Sequence, residues 1–186
     1  MTIPNGLPAG PGRHAYPASA RRHAPAPARS PARTAAPDDA ARPAEPGARV
    51  RAISVQQPWA FAIARGGKPV SNQPAPTAYR GPVLVHASMR VDLKACDSPL
   101  VRAAGWDPRD PLATIGAVIA AAELTDVCSA AAHGDCGCGP WADPGAHHWR
   151  LGDVRPLPRP IVALGRLGLW EPAPHLVAAV HAMLSV

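Results

Sequence analysis

The chain has 186 residues, of which 25 are Pro and 16 Gly, with only 4% aromatic residues and a net charge of +6. The charge is uneven: residues 1–50 carry seven Arg against three acids and no Trp, whereas residues 51–186 are close to neutral and hold all five Trp. No apolar run approaches the roughly 18–20 residues of a membrane span, Pro and Arg interrupt any signal-peptide core, four Cys do not make a disulfide scaffold, and no repeat is present; the expectation is a soluble, cytoplasmic protein.

Residues 1–48 read as a disordered Ala/Pro/Arg-rich tail. Segments such as Ala24-Pro25-Ala26-Pro27-Ala28-Arg29 lose backbone donors and the α region at each proline. They have too little apolar bulk to offset the entropy of ordering. The tail is either a basic arm for nucleic acid or, more simply, a solvated extension. Residues 49–186 then form one domain, long enough for a single core.

Within that domain, 48–55 alternates as a short strand. Pro58 suits the first position of a helix, on which Trp59 with Ile63 and Ala60 with Ala64 share a face. Gly66-Gly67 ends it. Lys68 to Ala78 reads as loop because of Pro69, Pro74 and Pro76, and Pro82 to Ala87 as a strand. Residues 89–104 read as helical, divided at Asp97-Ser98-Pro99. Thr114 to Leu124 is a buried strand by its β-branched content. Cys128 to Ala146 is a Gly/Pro/Cys/His loop, His148 to Asp153 a strand, Ile161 to Trp170 a last strand, and 175–184 an amphipathic helix. The pattern predicts an α+β domain built on a small, closed or partly closed β-barrel with flanking short helices.

Several of these segments resemble ASCH domains, members of the PUA-like superfamily of RNA-binding barrels. They are Ile53-Ser54-Val55-Gln56-Gln57-Pro58-Trp59-Ala60, Gly66-Gly67-Lys68-Pro69-Val70-Ser71-Asn72, Tyr79 to Ser88, and the closing Trp149-Arg150-Leu151 and Gly165 to Trp170. The resemblance spans about residues 50–171. It implies a PUA-like barrel with a cleft beside the Gly-x-Lys loop, binding RNA or a nucleotide. The family's loop is Gly-x-Lys-x-x-Glu-x-Arg, often followed by Trp. Here Ser71, Gln73 and Ala75 stand at the Glu, Arg and Trp positions. A carboxylate, a guanidinium fork and a stacking surface are thereby lost.

The resemblance implies a ligand cleft lined by Lys68, Ser71, Asn72, Tyr79, Arg80 and His86, with Arg65 and Arg90 nearby. Lys68 and Arg80 would contact phosphate, Asn72 and Ser71 a base or sugar, and Tyr79 would stack. The same loop offers an enzymatic alternative. Some PUA-like relatives are amidohydrolases of N4-acetylcytidine that use Lys-x-x-Thr, and Lys68-Pro69-Val70-Ser71 keeps that spacing with Ser for Thr. A desolvated Lys68 would take the Ser71 hydroxyl proton for attack on an acyl carbon, or the pair would serve RNA cleavage. A third reading is a partner-binding module with a decayed cleft. Trp59, Trp149 and Trp170 read as packing residues, and Trp106 and Trp141 as lid or core residues rather than ligand stackers. Cys128, His133, Cys136 and Cys138, with His147-His148 nearby, have zinc-ligand chemistry. The Cys-x-Cys spacing is tighter than the usual knuckle, so the loop is read as reduced thiols, with no metal or cofactor expected.

Overall fold

The computed structural model describes residues 49–129 and 136–185. Six strands form one sheet, curled into a half-barrel: β1 (Arg51–Gln57), β2 (Val70–Gln73), β3 (Gly81–Val91), β4 (Ala117–Ser129), β5 (His147–Val162) and β6 (Leu169–Trp170). Their order across the sheet is β2-β5-β4-β3-β1-β6. Short helices flank it: α1 (Trp59–Ala64), α2 (Pro99–Ala103) and α3 (Pro174–Leu184), with 3-10 turns at Ala95–Asp97 and Pro111–Ala113. This is the α+β architecture expected, with β2 and β6 as the edges of the sheet.

The middle of the sheet is buried on both faces, which suits the apolar runs Val83 to Val85 of β3 and Ala117 to Ala122 of β4. Neighbouring residues of one strand serve opposite cores. Ile53, Val83, Val85, Ile119 and Ala122 face a core closed by Phe61 and Ile63 of α1 and by Leu112. Ala52, Leu84, Val118 and Ala121 face a second core under Leu176 and Val180 of α3. β1 lies parallel to β3, Ile53 opposite Val85. Two parallel neighbours need a crossover, and the chain between them carries α1 and β2.

Gln57 joins β1 to α1. It is fully buried, and its Nε2 donates to the carbonyls of Leu112 and Thr114, both at 2.8 Å. Its Oε1 accepts the Phe61 amide at 2.9 Å, one of the donors that a helix start leaves unsatisfied. At the other end of α1 the amides of Gly66 and Lys68 both donate to the Ala62 carbonyl, and Gly67 takes a φ of 70°. The expected glycine stop is therefore in place, and it delivers Lys68 to the start of β2.

Four expectations need correction. The segment read as loop from Lys68 contains β2, a four-residue strand paired antiparallel with the first residues of β5. The stretch read as helix from residue 89 begins as the end of β3, and regular helix is confined to α2. β4 runs beyond Leu124 to Ser129, into the segment assigned to the Cys/His loop. The first late strand runs on, β5 continuing through Pro156, Pro158 and Pro160 to Val162, and the strand expected over Ile161 to Trp170 is broken after Val162 and resumes only as β6 on the far edge of the sheet. Those prolines are tolerated because β2 pairs only with His147 to Arg150, leaving one side of β5 open beyond that point. The β4 register also skips there, from Val118 opposite Ile161 to Ala120 opposite Pro156. Among the described residues no helix is long and apolar enough to cross a membrane.

Candidate functional site

A cleft of about 240 Å³ lies between β1, the start of α1 and β2, with walls of Ser54, Gln56, Trp59, Lys68, Ser71, Asn72, Gln73 and Asp143. Three of the six residues expected at one site meet here: Lys68, Ser71 and Asn72.

Lys68 is 3% exposed. Its Nζ lies 5.3 Å from the centroid of the Trp59 ring and 5.1 Å from that of Trp141, and donates to the Trp141 carbonyl at 3.0 Å. The two rings meet edge to face at 6.3 Å, an arrangement that favours a cation beside them. Burial nonetheless lowers the amine from 10.5 to about 8, with the Asp143 carboxylate pulling the other way. Asn72 Nδ2 donates to the same Trp141 carbonyl at 3.0 Å. That bond fixes the orientation of the amide, because a carbonyl only accepts. Asn72 Oδ1 is then buried without a hydrogen-bond partner. Ser71 is 2% exposed and its Oγ accepts from Gln73 Nε2 at 2.9 Å.

The other three expected residues are engaged elsewhere, and each for a local reason. Tyr79 packs against the α1 core, and its hydroxyl lies 2.9 and 2.8 Å from the carbonyls of Arg49 and Pro82. Burial and the Glu123 carboxylate push its phenol up to about 12. Arg80 donates to the carbonyls of Thr77 and Tyr79 and pairs with Asp126 at 3.5 Å. Its guanidinium ties the loop before β3 to β4 and does not line the cleft. His86 is 1% exposed, with Nε2 donating to the Ala163 carbonyl at 2.9 Å and its ring edge-on to Trp170. Its partner across the ladder, Ser54, is the residue that reaches the cleft wall. Arg65 pairs with Asp110 at 3.2 Å, and Arg90 is exposed at the end of β3.

Of the two loop tryptophans, Trp106 packs on Phe61 at 5.2 Å, while Trp141 covers Lys68. Trp149 is buried in the α1 core and donates to the Ala75 carbonyl at 3.0 Å. Sequence reasoning missed Asp143, Gln73 and the Trp141 carbonyl as parts of the site. Asp143 and the Trp141 carbonyl reach it from a distant loop, which leaves no local signal, whereas Gln73 lies on β2 two residues from Ser71.

A second group of side chains adjoins the cleft. Cys128, Cys136, Cys138 and His148 bring three sulfurs and a ring nitrogen within 4.8 Å of one another. All four cysteines of the chain are thiols. His133, which the spacing suggested as a ligand, lies outside the described residues.

No family model matches the chain. No curated protein matches it either. Among solved structures it is similar to the ASCH protein of Zymomonas mobilis, with 15% identity, a TM-score of 0.48, and coverage of 73% of this chain and 95% of that one. It is also similar to a single-substitution mutant of the same ASCH protein, with 15% identity, a TM-score of 0.45, and coverage of 73% and 98%.

Proposed function

We propose that this chain is an ASCH-like nucleotide-binding domain whose cleft, walled by Lys68, Ser71, Asn72 and Trp59, takes one nucleoside unit, free or at the end of an RNA. The observation that carries this reading is the meeting of Lys68, Ser71, Asn72 and Trp59 on one cleft. Asn72 and Ser71 bring to it hydrogen-bonding side chains of the kind that hold the amino or ring N–H edge of a base. Trp59 offers a flat apolar face beside them, and Lys68 supplies positive charge for a phosphate. The volume of about 240 Å³ suits a base with its sugar rather than a length of strand. Arg80 and His86 have no part in this version of the site.

A second reading is favoured by the Lys68 amine at about 8 in the same cleft as Ser71. A neutral Lys68 would accept the Ser71 hydroxyl proton as Oγ attacks the acyl carbon of an acylated nucleoside. The proton would then pass to the departing amine, and water would release the acyl group from Ser71.

The test is titration of the full chain with nucleosides, mononucleotides, N4-acetylcytidine and a short single-stranded RNA, following Trp fluorescence and, by chromatography, any product. Saturable binding that Asn72→Ala weakens at least tenfold, without product, supports the binding domain. Product that Ser71→Ala abolishes makes the protein a hydrolase. Neither binding nor product removes both readings and leaves a partner-binding module.

A further inference from the structure

We propose that Cys128, Cys136, Cys138 and His148 bind one Zn²⁺ ion, and that this ion clasps the 136–146 loop to the sheet beside the cleft. Three thiols and an imidazole are a borderline-soft donor set that suits zinc in tetrahedral coordination. With Zn–S near 2.3 Å, ligand atoms of such a site stand about 3.8 Å apart. Here all four lie within 4.8 Å, and Cys136 Sγ is 3.2 Å from His148 Nδ1. The four groups converge to within about 1 Å of the coordination distances, a displacement that side-chain rotation absorbs.

Each ligand is placed by the backbone. Cys128 on β4 and His148 on β5 are partners across the antiparallel ladder, so their side chains stand together on one face. Cys136 and Cys138 come from the loop. Alternate residues of an extended chain already share a side, but Gly137 turns the backbone tightly between these two, with a φ of 62° that a side chain would disfavour. The histidine is held in the required tautomer: Nε2 lies 2.8 Å from the Asp143 carbonyl and must donate to it, which leaves the Nδ1 lone pair directed at the thiols. A carbonyl on the far nitrogen is the usual outer support of a zinc-bound imidazole. On loading, each thiol releases its proton to solvent and binds as thiolate.

The position gives the ion a structural role. The loop between Cys138 and His148 carries Trp141, whose carbonyl receives Lys68 and Asn72, and Asp143, which walls the cleft. Fixing Cys136 and Cys138 to Cys128 and His148 holds that wall in place.

The test is metal analysis of the full chain purified under reducing conditions without added metal, then after chelation and reloading with Zn²⁺ or Co²⁺. One zinc per chain is expected, with thiolate-to-cobalt charge-transfer bands in the Co²⁺ form. Zinc should shield three thiols from a thiol reagent and leave Cys96, outside the cluster, reactive. Cys138→Ser should lower zinc affinity at least a hundredfold, whereas His148→Cys should keep the metal and shift the cobalt spectrum. If Cys138→Ser does not fold, the stoichiometry and thiol shielding of the unaltered chain decide the matter alone. Substoichiometric zinc after reloading, all four thiols reacting alike with and without zinc, or a disulfide within the cluster under the purification conditions would overturn the proposal.

Discussion

Replacing Lys68 by Met should change how the stability of the protein depends on pH. The amine is almost completely buried, and burial brings it to about 8. In the unfolded chain Lys68 stays protonated up to its ordinary value near 10.5. Between these two values the unfolded state therefore binds more protons than the folded one, and stability rises with pH. Below the lower value both states are charged, and the fold carries the full net cost of the buried ammonium. A shift of this size corresponds to about 3 kcal/mol. Lys68→Met keeps the length and apolar volume of the stem but cannot titrate. Whatever constant separates the two proteins, the pH-dependent part of their difference follows from the shift alone. Tyr79, pushed up to about 12, lowers stability as pH rises above 10, but it is present in both proteins and cancels in the difference. The assay is urea unfolding of both proteins between about pH 7 and pH 10, followed by Trp fluorescence. The unaltered chain should gain up to about 3 kcal/mol relative to the variant over that range, or about 10 °C in Tm. Stability curves that run parallel would refute the reasoning, because Lys68 would then be as well solvated in the folded protein as in the unfolded one.

Other consequences are independent of that one. Binding of a phosphate-bearing nucleotide should weaken as pH rises through about 8, where Lys68 loses its charge, while binding of the matching uncharged nucleoside stays level; isothermal titration across that range checks both. Gln57→Leu should cost about 3 kcal/mol or more in urea unfolding, since it strands the Phe61 amide and the carbonyls of Leu112 and Thr114 inside the core. Gly165→Ala should cost about 1–3 kcal/mol by overpacking, because a Cβ there would collide with the His86 ring and come within 2.7 Å of Ser54 Oγ; a thermal melt no lower than that of the unaltered chain would contradict this.

Much of the fold was legible in the sequence wherever local pattern and tertiary packing agree. β1, the core of β4 and α3 follow from apolar periodicity, and the end of α1 follows from Gly66-Gly67. Prolines misled at β2 and β5, because a proline reports only the donor it lacks and not whether its side of the strand has a neighbour. β2 fits between Pro69 and Pro74, and its hydrogen bonds come from β5, far along the chain. The prolines of β5 lie beyond Arg150, where β2 no longer pairs with it.

The site was legible only in its local part. Lys68, Ser71 and Asn72 fall within one five-residue stretch of β2 and its approach, so the segment that the sequence singled out carries all three. Tyr79, Arg80 and His86 depend on which way β3 turns its side chains and on what Asp126, Ala163 and Trp170 offer them. The thiol cluster is the sharper case. Spacing alone offered His133 as the fourth ligand, whereas the ladder brings His148 opposite Cys128. That pairing follows three register shifts along β4 and β5. A slip of one residue would send the His148 side chain to the opposite face of the sheet. The same slip would move β2, which pairs with β5, relative to Ser54 and Trp59 on the far wall of the cleft. Cleft and thiol cluster thus depend on one long-range quantity, the β4–β5 register, and a ligand ion bridging the two strands and the loop acts directly upon it.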